Sequence, residues 1–481
     1  MKKHPYFTKR SAGVLLHVSS LPGAHGIGDF GPSAHRFLDW LHAAGWNTWQ
    51  VLPIGPLGKG DSPYSSPSSF AIEPLLISIE GLVKDGLLPA SAARSTPRLR
   101  QGATSYRSAR GFKEPRLRQA HENFQGTRRS RSKRYRDFLE QSEDWLRPWC
   151  TWASEHRGGD PEYHAFVQFK LEQQWVALRR AAHARRIRIL GDLPIFVPLE
   201  SADVEADPEL FQLDASGRPT MVTGVPPDQF SRQGQLWGHP QYRWAVHQRT
   251  DFAWWTRRIE AQFDRFDIVR IDHFVGLRKA WNIRAGARSA KVGVWKNTPG
   301  RRLLETFQSR CPGKALIAED LGAVTPAVRR LRDDFGLPGM ALLQNAFDRD
   351  DDSSLPHNLP EHSVVYTGTH DNDTTQGWWQ ALKTSSRQRV RDYAGPVDGK
   401  PHEVLTRLAL ASRPITAIIP MQDLLGLGRS TRMNMPGVPS GNWRWRLQKG
   451  MLRRRDAARL RRLASATGRL EGRGRPQTKT N

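Results

Sequence analysis

Short apolar runs recur along the chain, and each ends in polar or charged residues. They are Gly13–His17, Thr48–Pro53, Ile187–Val197, Asp267–His273, Ala315–Leu321, Met340–Phe347, Ser363–His370 and Ile415–Leu425. Runs of aliphatic and β-branched residues without polar alternation suit strands buried on both faces, as in a parallel sheet. Between most of them the apolar spacing becomes helical. His35–Ala44 follows the first run, and Tyr163–Ala184, with Phe166, Phe169, Val176 and Leu178, precedes the third. Phe252–Phe263 precedes the fourth, and Thr325–Asp334 opens on a Thr-Pro helix start after the fifth. Eight strands alternating with helices predict an α/β fold, a (β/α)8 TIM barrel with inserted helical subdomains. An open doubly wound sheet would call for a glycine-rich phosphate loop or a switch-point ligand signal, and the sequence offers neither.

Leu75–Asp160 breaks the repeat and is rich in Arg, Ser and Glu. It reads as a basic helical insertion at about 75–160, with Trp145, Trp149 and Trp152 at helical spacing forming its core. Loop insertions are expected at about 200–250, and a disordered Gly/Arg-rich tail at 471–481. Residues 1–470 then form one catalytic barrel domain. The 481-residue length suits a barrel of about 250 residues carrying large insertions.

The net charge of +26 raises the question of a polyanionic partner. The excess sits mainly between Arg94 and Arg136 and after Arg444, away from the chemistry described next. A solvated basic surface accounts for it, and nucleic acid is not expected as a partner. Cys150 and Cys311 give neither a metal spacing nor a disulfide framework. The basic N-terminus is followed only by the short run Gly13–Val18, less than a signal-peptide core, and no run of about 18 apolar residues exists. These features lead to an expectation of a cytoplasmic protein without a membrane partner.

Three runs end in a carboxylate: Asp272 in RIDH, Glu319 in AED and Asp371 in THDND. In a parallel barrel the strand C-termini share one mouth, so these acids converge. Converging carboxylates repel and are costly to desolvate, so folding alone does not select them. Cleavage of a glycosidic bond does require them. One acid attacks the anomeric carbon, and a second, about 5–5.5 Å away in retaining enzymes, protonates the leaving oxygen. Arg270, two residues before Asp272, shares its strand face and is expected to keep Asp272 ionised. Singly, each acid could be an ion pair, a helix cap or a turn residue. Their joint placement argues against that. His273 and His370 stand without HxH or HExxH partners, which disfavours a metal hydrolase, and no GxSxG elbow is present. Asp192 in the third run, Tyr64 in DSPYSS, the loop Gly224–Trp237 with Phe230 and Trp237, and Asn442-Trp443 add polar and aromatic groups suited to sugars.

Taken together, RSAGVLLHVSSLPGAHGIGDFG, DSPYSS, GDLPIFV, GVPPDQFSRQGQLWGHPQYRW, FDIVRIDHFVGL, AEDLG, YTGTHDNDTTQGWW, QDLLGLG and RMNMPGVPSGNWRWR resemble the 4-α-glucanotransferases, or amylomaltases, over nearly the whole chain. The resemblance implies Asp272 as nucleophile, Glu319 as general acid/base and Asp371 as the acid stabilising the transition state. It implies substrate contacts from Arg270, Asp192, His370, Tyr64, Gln235, Trp237 and Asn442. It further implies retaining transfer of maltooligosyl groups between α-1,4-glucans, with no cofactor and no metal. Departures from the family pattern are Gln229 for an aromatic residue, Glu73 for Asn, Glu205 for Trp, and Arg278-Lys279 where an acid is common. They bear on preferred glucan length. The alternatives are an α-glucan hydrolase on the same site, and a glucan-binding protein tethered by its basic tail, which would have no use for the acid trio.

Overall fold

The computed structural model describes residues 4–227, 231–347 and 352–470. The tail 471–481, Gln229 and Phe230 lie outside the described residues.

Eight parallel strands form one sheet: β1 (Ser11–Leu15), β2 (Thr48–Gln50), β3 (Arg188–Leu193), β4 (Ile268–Ile271), β5 (Ala315–Ala318), β6 (Gly339–Leu342), β7 (Ser363–Tyr366) and β8 (Thr416–Pro420). Their order is β6-β7-β8-β1-β2-β3-β4-β5. The sheet wraps round until β5 faces β6. That seam is closed by the Ala318 N–H donating to Pro338 O at 3.0 Å, and by the Met340 N–H donating to Asp320 Oδ1 at 2.7 Å. The arrangement is a (β/α)8 TIM barrel. Each strand overlaps one of the apolar runs, β1 and β6 starting one or two residues before theirs, and nearly every strand residue is buried, as burial on both faces requires. At Gly191 in β3 the Phe266 ring packs directly on the backbone, where a Cβ would meet ring carbon at 2.2 Å.

The helices Pro32–Ala43, Pro161–Ala184, Ala253–Arg265 and Pro326–Asp334 fall on the predicted helical stretches. Pro occupies the first turn of three of them, where no backbone donor is lost. Between β2 and β3 lie the long helices Tyr106–Gln125 and Lys133–Arg157. Trp149 and Trp152 of the latter are buried in a cluster with Leu146, Cys150 and Ala153, whereas Trp145 is half-buried at its edge. Lys113, with no exposed surface, ties Tyr106–Gln125 to the barrel. Its ammonium donates to Asp29 Oδ2 and to the carbonyls of Leu75 and Ile77, at 2.7–2.8 Å.

A second sheet, of four antiparallel strands, stands above the barrel. It pairs Gln235–Pro240, Met221–Val225, Lys279–Arg284 and Val294–Asn297 in that order. Part of the segment expected to be loop at 200–250 is therefore strand. No helix among the described residues is long and apolar enough to cross a membrane.

At the opposite end of the barrel the chain closes on itself. Arg469, fully buried, donates to the carbonyls of Leu410, Ser11, Ile415, Ala409, Ser412 and Pro414. Three of these belong to the C-terminal end of helix Pro401–Ala411, where free carbonyls and the helix dipole favour a cation. The others join β1 to the approach of β8. Replacing Arg469 with Met leaves several buried carbonyls without donors, at roughly 1–3 kcal/mol for each group not re-solvated. Arg469→Met is expected to lower the melting temperature by several degrees in a calorimetric scan. Arg461→Ala, an exposed control, should leave it within about a degree.

Candidate active site

The sheet register sets the first charged contact. Asp192 in β3 and Arg270 in β4 are direct partners across the ladder, so both side chains enter the barrel mouth together. Arg270 Nη1 lies 2.7 Å from both Asp192 oxygens and 2.9 Å from Asp272 Oδ1. Its Nε–H points to Met340 Sδ at 3.4 Å. Burial opposes the charge of Arg270, but the carboxylates of Asp192 and Asp272 outweigh it and hold the group firmly cationic. Tyr64 closes this network, its hydroxyl donating to Asp192 Oδ2 at 2.6 Å.

Asp272 follows β4 directly and Glu319 follows β5 directly. Asp272 keeps a quarter of its side chain exposed, 26 %, at the floor of the mouth. The Glu319 carboxylate accepts the N–H of His273 at 2.7 Å and that of Leu321 at 3.1 Å. His273 takes a left-handed conformation, φ 51°, which costs energy in a non-glycine residue and turns its N–H onto Glu319. Burial pushes Glu319 up to about 8. It also pushes Asp272 up to about 7, against the pull of Arg270. The cation contact expected from the sequence is present, but desolvation outweighs it. Both carboxyls are raised together, and the pair titrates as one unit.

Asp371 reaches the site by a different route, on the loop after β7. Asn434 Nδ2 donates to Asp371 Oδ1 at 2.6 Å, and Arg432 donates to its backbone carbonyl. The Thr369 and Asn372 side chains pin the turn from within. His370, buried and held neutral by that burial, lies 3.4 Å from Asp371 Oδ2 and stacks on the Tyr64 ring at 5.0 Å. Trp443, also left-handed at φ 63°, packs against both rings. Beside them a cavity of about 430 Å³, open solvent included, is lined by His17, Thr369, His370, Asp373 and Arg432. His17 has no partner at Nδ1, and burial lowers its pKa to about 3.

The remaining candidates are more peripheral. The second sheet delivers Trp237, whose ring meets His273 edge-on at 4.8 Å and whose Nε1–H donates to Gln235 Oε1 at 3.3 Å. Asn442 is half-buried and bonds within its own loop, to Met435 and Val438. The structure thus places Asn442 as a brace for the loop and Asn434 on the acid. Asn434 and Arg432 were not singled out from the sequence, although RMN sits in the same motif. Of the departures, Glu73 is buried and accepts the N–H groups of Leu57 and Leu75, clamping the segment that carries Tyr64. Glu205 is exposed beside His156, and Arg278 bonds Asn297 at the surface.

This chain matches the family model described as 4-alpha-glucanotransferase over residues 16–161 and 153–452. The chain belongs to the 4-α-glucanotransferase family. It is similar to the 4-alpha-glucanotransferase of Thermus thermophilus, with 42 % identity over 96 % of this chain and 99 % of that protein. The 4-alpha-glucanotransferase of Aquifex aeolicus is 40 % identical over 93 % of this chain and 97 % of its own length. Among solved structures, the amylomaltase of Streptococcus agalactiae in complex with acarbose superposes with a TM-score of 0.91 at 33 % identity, covering 96 % of this chain and all of that one. The chain is accordingly a transferase of the 4-α-glucanotransferase class, built on the barrel described above.

Because Glu319 is raised by burial, the folded state holds its proton more tightly than the unfolded chain does. That costs stability once pH rises past the unfolded value, about 4.3, and increasingly so towards about 8. Glu319→Gln is therefore expected to raise the melting temperature at pH 8 and to leave it nearly unchanged at pH 4. An equal shift at both values would contradict the assignment of burial as the cause.

Proposed function

We propose that residues 1–470 act as one catalytic domain that transfers maltooligosyl groups between α-1,4-glucans with retention of configuration. The observation that carries this reading is the buried Arg270 bridging Asp192 and Asp272, with the Glu319 carboxyl at the neighbouring strand end. In this reading Asp272 attacks the anomeric carbon of a bound glucan and forms a glycosyl ester, while Glu319 gives its proton to the departing 4-oxygen. Glu319, now a carboxylate, takes the proton of an incoming 4-hydroxyl as that oxygen displaces Asp272. The ester bond breaks, a new α-1,4 bond forms, and both acids return to their starting states. Arg270 steadies the Asp272 carboxylate as it leaves. Asp371, aimed by Asn434, accepts hydrogen bonds from sugar hydroxyls and favours the flattened ring of the transition state. Tyr64, Asp192 and His370 frame the sugar whose bond is cut, and Trp237 offers a stacking face beside His273. Gln235 and Asn442 support the walls.

Incubation with maltotriose tests the reading. Glucose together with a ladder of longer oligosaccharides is expected; maltose and glucose alone would mean hydrolysis. Asp272→Ala should abolish the ladder, and a variant that kept its rate would refute the assigned nucleophile. The two raised carboxyls predict a bell-shaped kcat/KM profile. Its acidic limb reflects loss of the nucleophile's charge and its alkaline limb loss of the general acid's proton, both displaced upward from the usual carboxylate range. Asn434→Ala is expected to lower kcat by roughly tenfold or more, the scale of one charge-assisted hydrogen bond, with the melting temperature little changed.

A further inference from the structure

Behind the Tyr64–Asp192 wall lies a second cavity, of about 440 Å³ including open solvent. Its far side is one face of the helix Ala253–Arg265, presenting Arg258, Gln262 and Arg265 at i, i+4 and i+7. Both arginines are buried, with 2 % and 6 % of their surface exposed. Neither makes an ion pair with any described residue. Arg258 donates to the neutral carbonyls of Pro194 and Ile195 and to the Tyr242 hydroxyl, and its Nε–H has no partner. The Arg265 guanidinium makes no hydrogen bond with any described residue. It rests over the Trp145 ring, 5.9 Å from the centroid, and borders the cavity.

The acids nearby are committed or remote. Asp192 is held by Arg270 and Tyr64. Asp203 senses the charge of Arg258 but spends its carboxylate on the Ser69 N–H. Glu172 and Asp264 influence Arg265 without reaching ion-pair distance. On the cavity wall the Ser69 hydroxyl is turned to the same Asp203 carboxylate.

Arg258 is also held over the Trp254 and Trp255 rings, at 5.2 and 4.9 Å from their centroids. Burying an unpaired cation costs several kcal/mol, and folding alone would favour a neutral side chain at Arg265. A planar guanidinium fork matches the oxygens of a tetrahedral oxyanion, and an amide adds a further donor to such a shell. We propose that this cavity is a binding site for a small oxyanion of the phosphate class, gripped by Arg265 with Gln262, in the positive field of Arg258. The site is distinct from the acid trio and does not rest on the glucan-transfer reading.

The test uses the full chain and sodium phosphate as the probe, with ionic strength held constant by sodium chloride. A saturable rise of the melting temperature with phosphate is expected for the wild type. In Arg265→Met the half-saturating concentration should increase by roughly tenfold or more. Gln262→Leu should weaken the response by a smaller factor. Running glucose 1-phosphate alongside distinguishes the two sources of the group. Saturation at lower concentration by the ester assigns a sugar phosphate, and saturation at lower concentration by phosphate assigns the free ion; either supports the site. Equal responses of wild type and Arg265→Met, or no saturation in the wild type, would overturn it. Should Arg265→Met fail to fold, ³¹P line broadening of phosphate by the wild type and by Gln262→Leu decides the matter. Identical broadening by both, or none by the wild type, rejects the proposal.

Discussion

One buried guanidinium organises the mouth of this barrel. Arg270 is placed between Asp192 and Asp272 by the β3/β4 register, and neither acid would tolerate its surroundings without it. The constraint extends outward. Asp192, fixed by Arg270, fixes the Tyr64 hydroxyl; the Tyr64 ring then supports His370, and Trp443 packs on both. A single cation thus couples two barrel strands and three loops into one preorganised wall, the condition under which charge can be moved with little rearrangement.

The acids are held with different stiffness. Asp272 and Glu319 follow strands directly, and their backbones join the neighbouring strand ends through Leu193 and Ile271. Asp371 depends on a loop whose partners, Arg432 and Asn434, arrive from about sixty residues further along the chain. Under the proposed mechanism, the two acids assigned to bond making are those set directly on the strand framework, and the acid assigned to sugar hydroxyls is the one set on a loop.

The sequence made the eight strands legible because burial on both faces removes polar alternation from them. It made the acids legible because each closes an apolar run. The second sheet was not legible, since Gln235–Pro240 is half exposed and interrupted by glycine and proline, which mask a strand signal. Asn434 was hidden by its neighbour Asn442: two asparagines in one motif cannot be ranked until the loop is folded. The surroundings of Asp272 were legible only in part for a related reason. Arg270 is visible two residues away in the chain and does contact the acid, whereas the desolvation that opposes it is a property of the assembled mouth.

The Arg469 clasp carries a consequence for cooperativity. It bonds the start of β1 and the approach of β8, whose backbones also pair directly, to the end of helix Pro401–Ala411. One side chain thus serves a strand pair and a helix terminus at once. This face of the barrel is built to open as a unit rather than strand by strand.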